Sequence, residues 1–149
     1  KRLASDYIEG LNILSSMRMC ANVPCQSAIQ TALGGYQSID DLVKENGRLR
    51  IQRDVTTDML NGIDGISCVK PKGAMYCFAK VDEKKFNIQN DEQMVLDLLS
   101  SEKILLVHGR AFNLTEGTYF RLVFLPHSDV LVPALHRIGN FFRTYKQGA

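Results

Sequence analysis

Arg121 lies in the run Tyr119-Phe120-Arg121-Leu122-Val123-Phe124-Leu125, which is otherwise apolar or aromatic. Read as a strand, this run puts apolar neighbours on both faces around a permanent positive charge. Leaving a guanidinium unpaired there costs several kcal/mol, so the charge needs a partner. Three partners fit the chemistry. One is an internal Asp or Glu; a second is water, if the strand is an edge; a third is a ligand carboxylate, whose two oxygens match the arginine fork.

Other chemistry is sparse. His108 closes the apolar run Ile104-Leu105-Leu106-Val107 and opens the loop His108-Gly109-Arg110-Ala111-Phe112-Asn113, a place where ligands are often met and where structural histidines also sit. There is no Gly-x-Ser-x-Gly elbow, no phosphate-cradling Gly-x-x-x-x-Gly-Lys-Ser/Thr and no Gly-x-Gly-x-x-Gly. Cys20, Cys25, Cys68 and Cys77 contain no Cys-x-x-Cys pair, and His108, His127 and His136 do not stand at zinc-ligand spacing around them, so no metal is expected. All four cysteines are expected to be buried free thiols in a reducing cytoplasm. Asn113-Leu114-Thr115 matches a glycosylation sequon without a secretory signal to accompany it.

Eighteen Lys and Arg against sixteen Asp and Glu leave a net charge of +2, too weak to mark a nucleic-acid groove. Apolar residues at 45% and charged residues at 23% are those of a globular chain with a sizeable core. No apolar run reaches the ~18 residues of a membrane span. The chain opens Lys1-Arg2-Leu3, without an initiator Met or a signal-peptide core, and is read as part of a longer protein.

The elements that must position these groups follow from periodicity. Leu3, Tyr7, Leu11 and Leu14 predict a helix over residues 3–16, broken at Asn22-Val23-Pro24. A second helix is expected from about Cys25 to Leu33, stopped by Gly34-Gly35, and a short acidic turn over 39–45. Ile51, Val55 and Met59 predict the buried stripe of a helix from about Arg48 to Asn61, with Arg48, Arg50, Arg53, Asp54 and Asp58 solvated. Ile66–Val69 and Ala74–Phe78 read as strands around the turn Pro71-Lys72-Gly73, followed by a polar loop from Lys80 to Asn90 that holds Phe86. Asn90 with Gln93 has the form of a capping box before the stripe Met94, Val95, Leu98 and Leu99. Ile104–Val107 and Tyr119–Leu125 are the remaining strands. A final helix starts near Asp129, because Pro133 belongs near a first turn. The order predicts an α/β domain, layered in the α+β manner, with helices packed on a sheet of about four strands from residue 46 to 149. Residues 1–45 are helical only and are read as a separate segment that packs on something else.

Several stretches resemble one family, the pyridoxal-phosphate-dependent aminotransferases of fold type I, in the class I and II group. They are Ser16-Met17-Arg18-Met19-Cys20-Ala21-Asn22-Val23-Pro24, the arginine-bearing helix near 48–62, Val69-Lys70-Pro71-Lys72-Gly73-Ala74-Met75-Tyr76-Cys77-Phe78, Leu105-Leu106-Val107-His108-Gly109-Arg110-Ala111-Phe112, and Tyr119-Phe120-Arg121-Leu122. Tyr7-Ile8-Glu9-Gly10-Leu11 and the run from Ala28 to Ile39 look most like bacterial alanine (glutamate–pyruvate) aminotransferases. The likeness covers the whole chain, and its specificity lies in the order and spacing of the pieces.

The resemblance implies the C-terminal part of an enzyme that moves an amino group between an amino acid, alanine or glutamate, and a 2-oxo acid, pyruvate or 2-oxoglutarate. It implies pyridoxal 5'-phosphate as cofactor, a cytoplasmic homodimer, and no nucleic-acid or membrane partner. Residues 1–45 would belong to the large cofactor domain and the subunit interface, and 46–149 would be the small C-terminal domain. Arg121 would grip the substrate α-carboxylate. Residues 17–22 would lie near the subunit interface. There Arg18, with Asn22 beside it, is a candidate contact for a second, distal carboxylate, although a surface or interface salt bridge explains Arg18 as well. The family often has proline at the position of His108, so the likeness assigns His108 no role. The cofactor-bearing lysine of the family sits in a Ser-x-x-Lys or Ser-Lys setting before Gly-x-Arg-x-Gly, and no lysine here does. Covalent catalysis is therefore expected from residues outside this chain. Two other readings stand beside it: a freestanding, non-catalytic α/β small-molecule-binding module, and a structural or regulatory domain with Arg121 paired internally.

Overall fold

A computed structural model describes residues 4–148 and divides the chain into two compact units, Lys1–Ser38 and Ile39–Ala149. The first carries α1 (Ser5–Ser16) and α2 (Val23–Gly34). Leu3, expected in the first helical stripe, lies outside the described residues. The break at Asn22-Val23-Pro24 is a helix start: Asn22 Oδ1 accepts from Cys25 N at 3.3 Å, and Pro24 sits in the first turn, where its missing N–H costs nothing. Neither helix buries a residue, and Cys20 and Cys25 are exposed, against the expectation of buried thiols. Periodicity finds the apolar stripes of α1 and α2, but burial needs a surface to cover them.

The second unit follows α3 (Ser38–Val43) with α4 (Arg48–Asn61), β1 (Ile66–Cys68), β2 (Tyr76–Val81), α5 (Glu83–Phe86), α6 (Asp91–Glu102), β3 (Val107–His108), a one-turn 3-10 helix (Gly109–Phe112), β4 (Thr118–Val123) and α7 (Ser128–Thr144). The four strands form one antiparallel sheet in the order β1-β2-β4-β3. This is the layered α+β arrangement expected, with β4 inside the sheet rather than at its edge.

One face of the sheet carries Cys77, Ala79 and Val81 from β2 and Phe120 and Leu122 from β4, all buried. Against it pack Leu60 of α4, Met94, Val95 and Leu98 of α6, and Leu131, Leu135, Ile138 and Phe142 of α7 in a continuous apolar core. The amphipathic repeats of α6 and α7 turn toward this face, as their sequence periods require. The opposite face carries Tyr76, Phe78 and Lys80 from β2 and Tyr119, Arg121 and Val123 from β4, none of them buried.

Four expectations need correction. The buried stripe of α4 is Gln52, Thr56, Thr57 and Leu60; of Ile51, Val55 and Met59, only Met59 packs, partly buried, against the core. Gln52 Nε2 donates to Leu125 O at 3.2 Å and Thr57 Oγ1 to Arg53 O at 2.8 Å, whereas Gln52 Oε1 and Thr56 Oγ1 are buried without a hydrogen-bond partner among the described residues. The span Lys80–Asn90 is not a loop: β2 continues to Val81, and Asp82 caps α5 by accepting from Lys84 N and Lys85 N, which buries Phe86. In the run Ile104–Val107 only Val107 joins the sheet, paired with Arg121, and Leu105 is 76% exposed. Asn90 does cap α6, accepting from Glu92 N at 2.9 Å and Gln93 N at 3.2 Å, but Gln93 bonds forward to Asp97 instead of returning the box.

Two glycines are required by their neighbours. Gly65 has φ +93°, and a Cβ there would stand 2.6 Å from the Phe86 ring. At Gly109 a Cβ would stand 3.1 Å from Tyr119 Cβ, so glycine lets the 3-10 turn lie close against β4.

Candidate functional site

β4 holds Arg121 opposite Phe78 of β2 on one side and Val107 of β3 on the other. That double pairing excludes the edge-strand reading. Among the described residues no Asp or Glu forms an ion pair with Arg121; the pairs that do form join other residues. The internal salt-bridge reading therefore fails. The guanidinium instead lies over two rings, its Cζ 4.6 Å from the Tyr76 centroid and 4.5 Å from the Phe112 centroid. Its Nε is buried and has no hydrogen-bond partner.

This environment holds the cation against two aromatic rings while leaving Nε without an acceptor. Aromatic faces attract the cation, each such contact contributing about 0.5–2 kcal/mol. They cannot accept from the N–H edge as an oxygen does. A buried donor left without an acceptor costs about 1–3 kcal/mol. An arginine with an unmet donor can receive an anion, and a carboxylate is one whose geometry matches the fork. The platform is continuous: Phe78 stacks on Tyr119 at 5.4 Å and meets Phe112 edge-on at 5.8 Å.

Beside this platform, Asp91, the first residue of α6, is only 3% exposed. Its Oδ2 accepts from Arg110 N at 2.9 Å and lies 3.6 Å from His108 Nδ1, while its Oδ1 lies 3.6 Å from Arg110 Nε. His108 pairs across from Phe120, so its side chain belongs to the core side of the sheet and not to the face that carries Arg121. On that core side Cys68 and Cys77 interact. The neighbouring Cys68 thiol and burial hold Cys77 well above the usual thiol range, while Cys68 is lowered beside Cys77.

Arg18 and Asn22 stand in the first unit. Arg18 follows α1, where its N–H reaches Ser15 O at 3.3 Å, and Asn22 is occupied in capping α2. The aromatic partners Tyr76 and Phe112 were not singled out from sequence. Each lies in a run that matches the family pattern, but only the fold shows that they flank Arg121. Asp91 gave no signal beyond its place after the capping Asn90.

The described residues do not fit a covalently held cofactor. Every described lysine is at least partly exposed, and Lys44, Lys70 and Lys85 are paired with acids. No group of three or more His, Cys, Asp or Glu among the described residues could hold a metal, and no described helix is long and apolar enough to cross a membrane.

The family model for aminotransferase class I and II matches residues 4–138. The chain is 55% identical over 147 residues to the glutamate-pyruvate aminotransferase AlaA of Haemophilus influenzae, covering 99% of this chain and 36% of that protein. It is 53% identical to an alanine aminotransferase of Mycobacterium bovis, covering 99% of this chain and 34% of the relative. The crystal structure of an aminotransferase from Escherichia coli superposes with a TM-score of 0.80 at 52% identity, over 99% of this chain and 36% of that one. The chain thus spans about a third of the length of these relatives. With the match running over nearly all of its residues, the chain belongs to the class I and II aminotransferase family.

Proposed function

We propose that this chain is the C-terminal part of an aminotransferase and supplies the clamp for the substrate α-carboxylate, with Arg121 as its fork. The reaction moves an amino group between alanine or glutamate and pyruvate or 2-oxoglutarate. The observation that carries this reading is the buried, unpartnered Nε of a guanidinium that lies over the rings of Tyr76 and Phe112. Both amino and 2-oxo acids present an α-carboxylate, so one clamp serves both halves of the cycle. The names of the relatives support the choice of alanine and glutamate.

Pyridoxal 5'-phosphate, the cofactor of this family, would supply the electron sink, held by residues outside this chain. What the chain contributes is binding and orientation. Arg121 fixes the carboxylate end of the substrate, which restricts rotation of the reacting carbon before the chemical step. On the same reading residues 1–45 belong to the cofactor domain, 46–149 form the small domain, and the enzyme is a cytoplasmic homodimer with active sites at the subunit interface. The exposed apolar faces of α1 and α2 support that assignment, since they need a covering surface. Arg18 and Asn22 are proposed interface residues, Arg18 also a candidate for the distal carboxylate of glutamate.

The test is transamination by the whole enzyme. Alanine with 2-oxoglutarate should give pyruvate and glutamate, and the reverse pair should react as well. A protein that turns over neither pair contradicts the assignment of substrate. A protein equal in length to this chain that binds amino acids without turnover would favour the non-catalytic module instead.

A further inference from the structure

We propose that Asp91 is a positioning residue for the carboxylate clamp, acting through the 3-10 turn Gly109–Phe112 and the ring of Phe112; this rests on the reading of Arg121 as the clamp. Phe112 forms one wall of the Arg121 slot, yet it is 39% exposed and stands at the end of a short turn. The strand leading into that turn contributes only two paired residues, Val107 and His108, so the ladder holds the turn weakly. Three groups of the segment converge on one carboxylate instead. Asp91 Oδ2 accepts the Arg110 N–H at 2.9 Å, Arg110 Nε lies 3.6 Å from Oδ1, and His108 Nδ1 lies 3.6 Å from Oδ2.

The placement of Asp91 has a cost that needs a reason. A carboxylate 3% exposed loses its hydration, and Oδ1 recovers no hydrogen bond. The N-terminus of α6 and the Arg110 guanidinium offset part of this. A helix start alone needs no buried acid here, because Asn90 already caps α6. The carboxylate is placed where the backbone of the turn can be tied to α6, and that tie fixes how far Phe112 reaches over Arg121, 4.5 Å from ring centroid to Cζ.

The experiment is a double-mutant cycle in the whole enzyme, with Asp91→Ala, Asp91→Asn, Phe112→Ala and the paired variants. Alanine and ethylamine are compared as amino donors in single turnovers, since they differ by the carboxylate alone. With alanine, Asp91→Ala should lower kcat/KM on the order of tenfold, mostly through KM, with ethylamine unchanged. Asp91→Asn keeps an acceptor for the Arg110 N–H and should recover most of the loss, to within about threefold. On the Phe112→Ala background both Asp91 substitutions should lose their effect, because their route to Arg121 is gone. If Asp91→Ala does not fold, the cycle runs with Asp91→Ser, whose shorter side chain also withdraws the carboxylate acceptor from the Arg110 N–H. Effects that add fully across the cycle, or that fall equally on ethylamine, overturn the role of Asp91. Normal discrimination between alanine and ethylamine in Arg121→Leu overturns the clamp itself, a separate outcome.

Discussion

Replacing Arg121 with Leu separates function from stability in a way that follows from its surroundings. The substitution removes two cation–π contacts, to Tyr76 at 4.6 Å and Phe112 at 4.5 Å, a loss of about 1–2 kcal/mol for a partly exposed group. It also removes a buried donor without an acceptor, a gain of about 1–3 kcal/mol. The two offset each other to within about 2 kcal/mol, and leucine suits a strand between Phe120 and Leu122. Stability should change by no more than that, whereas an arginine ion-paired within the sheet would cost about 3–5 kcal/mol to truncate. Activity should change greatly. Losing a charge-assisted, two-bonded contact to substrate costs about 2–4 kcal/mol, or roughly 30- to 1,000-fold in kcat/KM for the amino acid. Arg121→Lys keeps the charge but not the fork or the stacking plane and should lie between. The assays are steady-state kinetics with alanine and with pyruvate, beside thermal unfolding of the same proteins. A variant that loses stability and activity together, or keeps near-normal kinetics, refutes the reasoning.

Other consequences are smaller. Phe112→Ala removes one wall of the slot and should raise KM for both alanine and pyruvate on the order of tenfold, leaving the unfolding temperature nearly unchanged because the ring is 39% exposed; equal kinetics would show that Tyr76 alone orients the fork. Asn90→Ala deprives Glu92 and Gln93 of their N–H acceptor and should destabilise by about 1 kcal/mol in chemical denaturation, with Asn90→Ser restoring most of it. Tyr145, whose hydroxyl donates to Asp97 Oδ2 at 2.7 Å, has its pKa raised by burial and then by that bond. A raised folded-state pKa means stability present below the unfolded value of 10.0 and lost as pH climbs beyond it, so unfolding should ease above pH 10 in the parent but much less so in Tyr145→Phe.

The fold was legible where a period met a cap. α4 begins at Arg48 and ends at Asn61 as its pattern predicts, and the Leu131-Leu135-Ile138-Phe142 repeat marks the buried side of α7. It was illegible where polar groups do the work of apolar ones. Gln52 and Thr56 fill the inner side of α4, and no hydrophobic period can select them over Ile51 and Val55. Phe86 was hidden in a polar stretch because its burial depends on Gly65 and Phe142, far away in sequence. The site divides similarly. An arginine in an apolar strand announces an unmet charge, so Arg121 stood out from residue types alone. Tyr76, Phe112 and Asp91 become parts of one device only when β2, β4 and the 109–112 turn come together.

The most direct test of the central claim is the structure of the whole enzyme with an amino-acid substrate or its 2-oxo product bound. The expected result is both carboxylate oxygens within about 2.7–2.9 Å of the Arg121 guanidinium nitrogens, with the guanidinium still over the rings of Tyr76 and Phe112. A carboxylate held by other residues, with Arg121 paired to an acid of the protein, would contradict it.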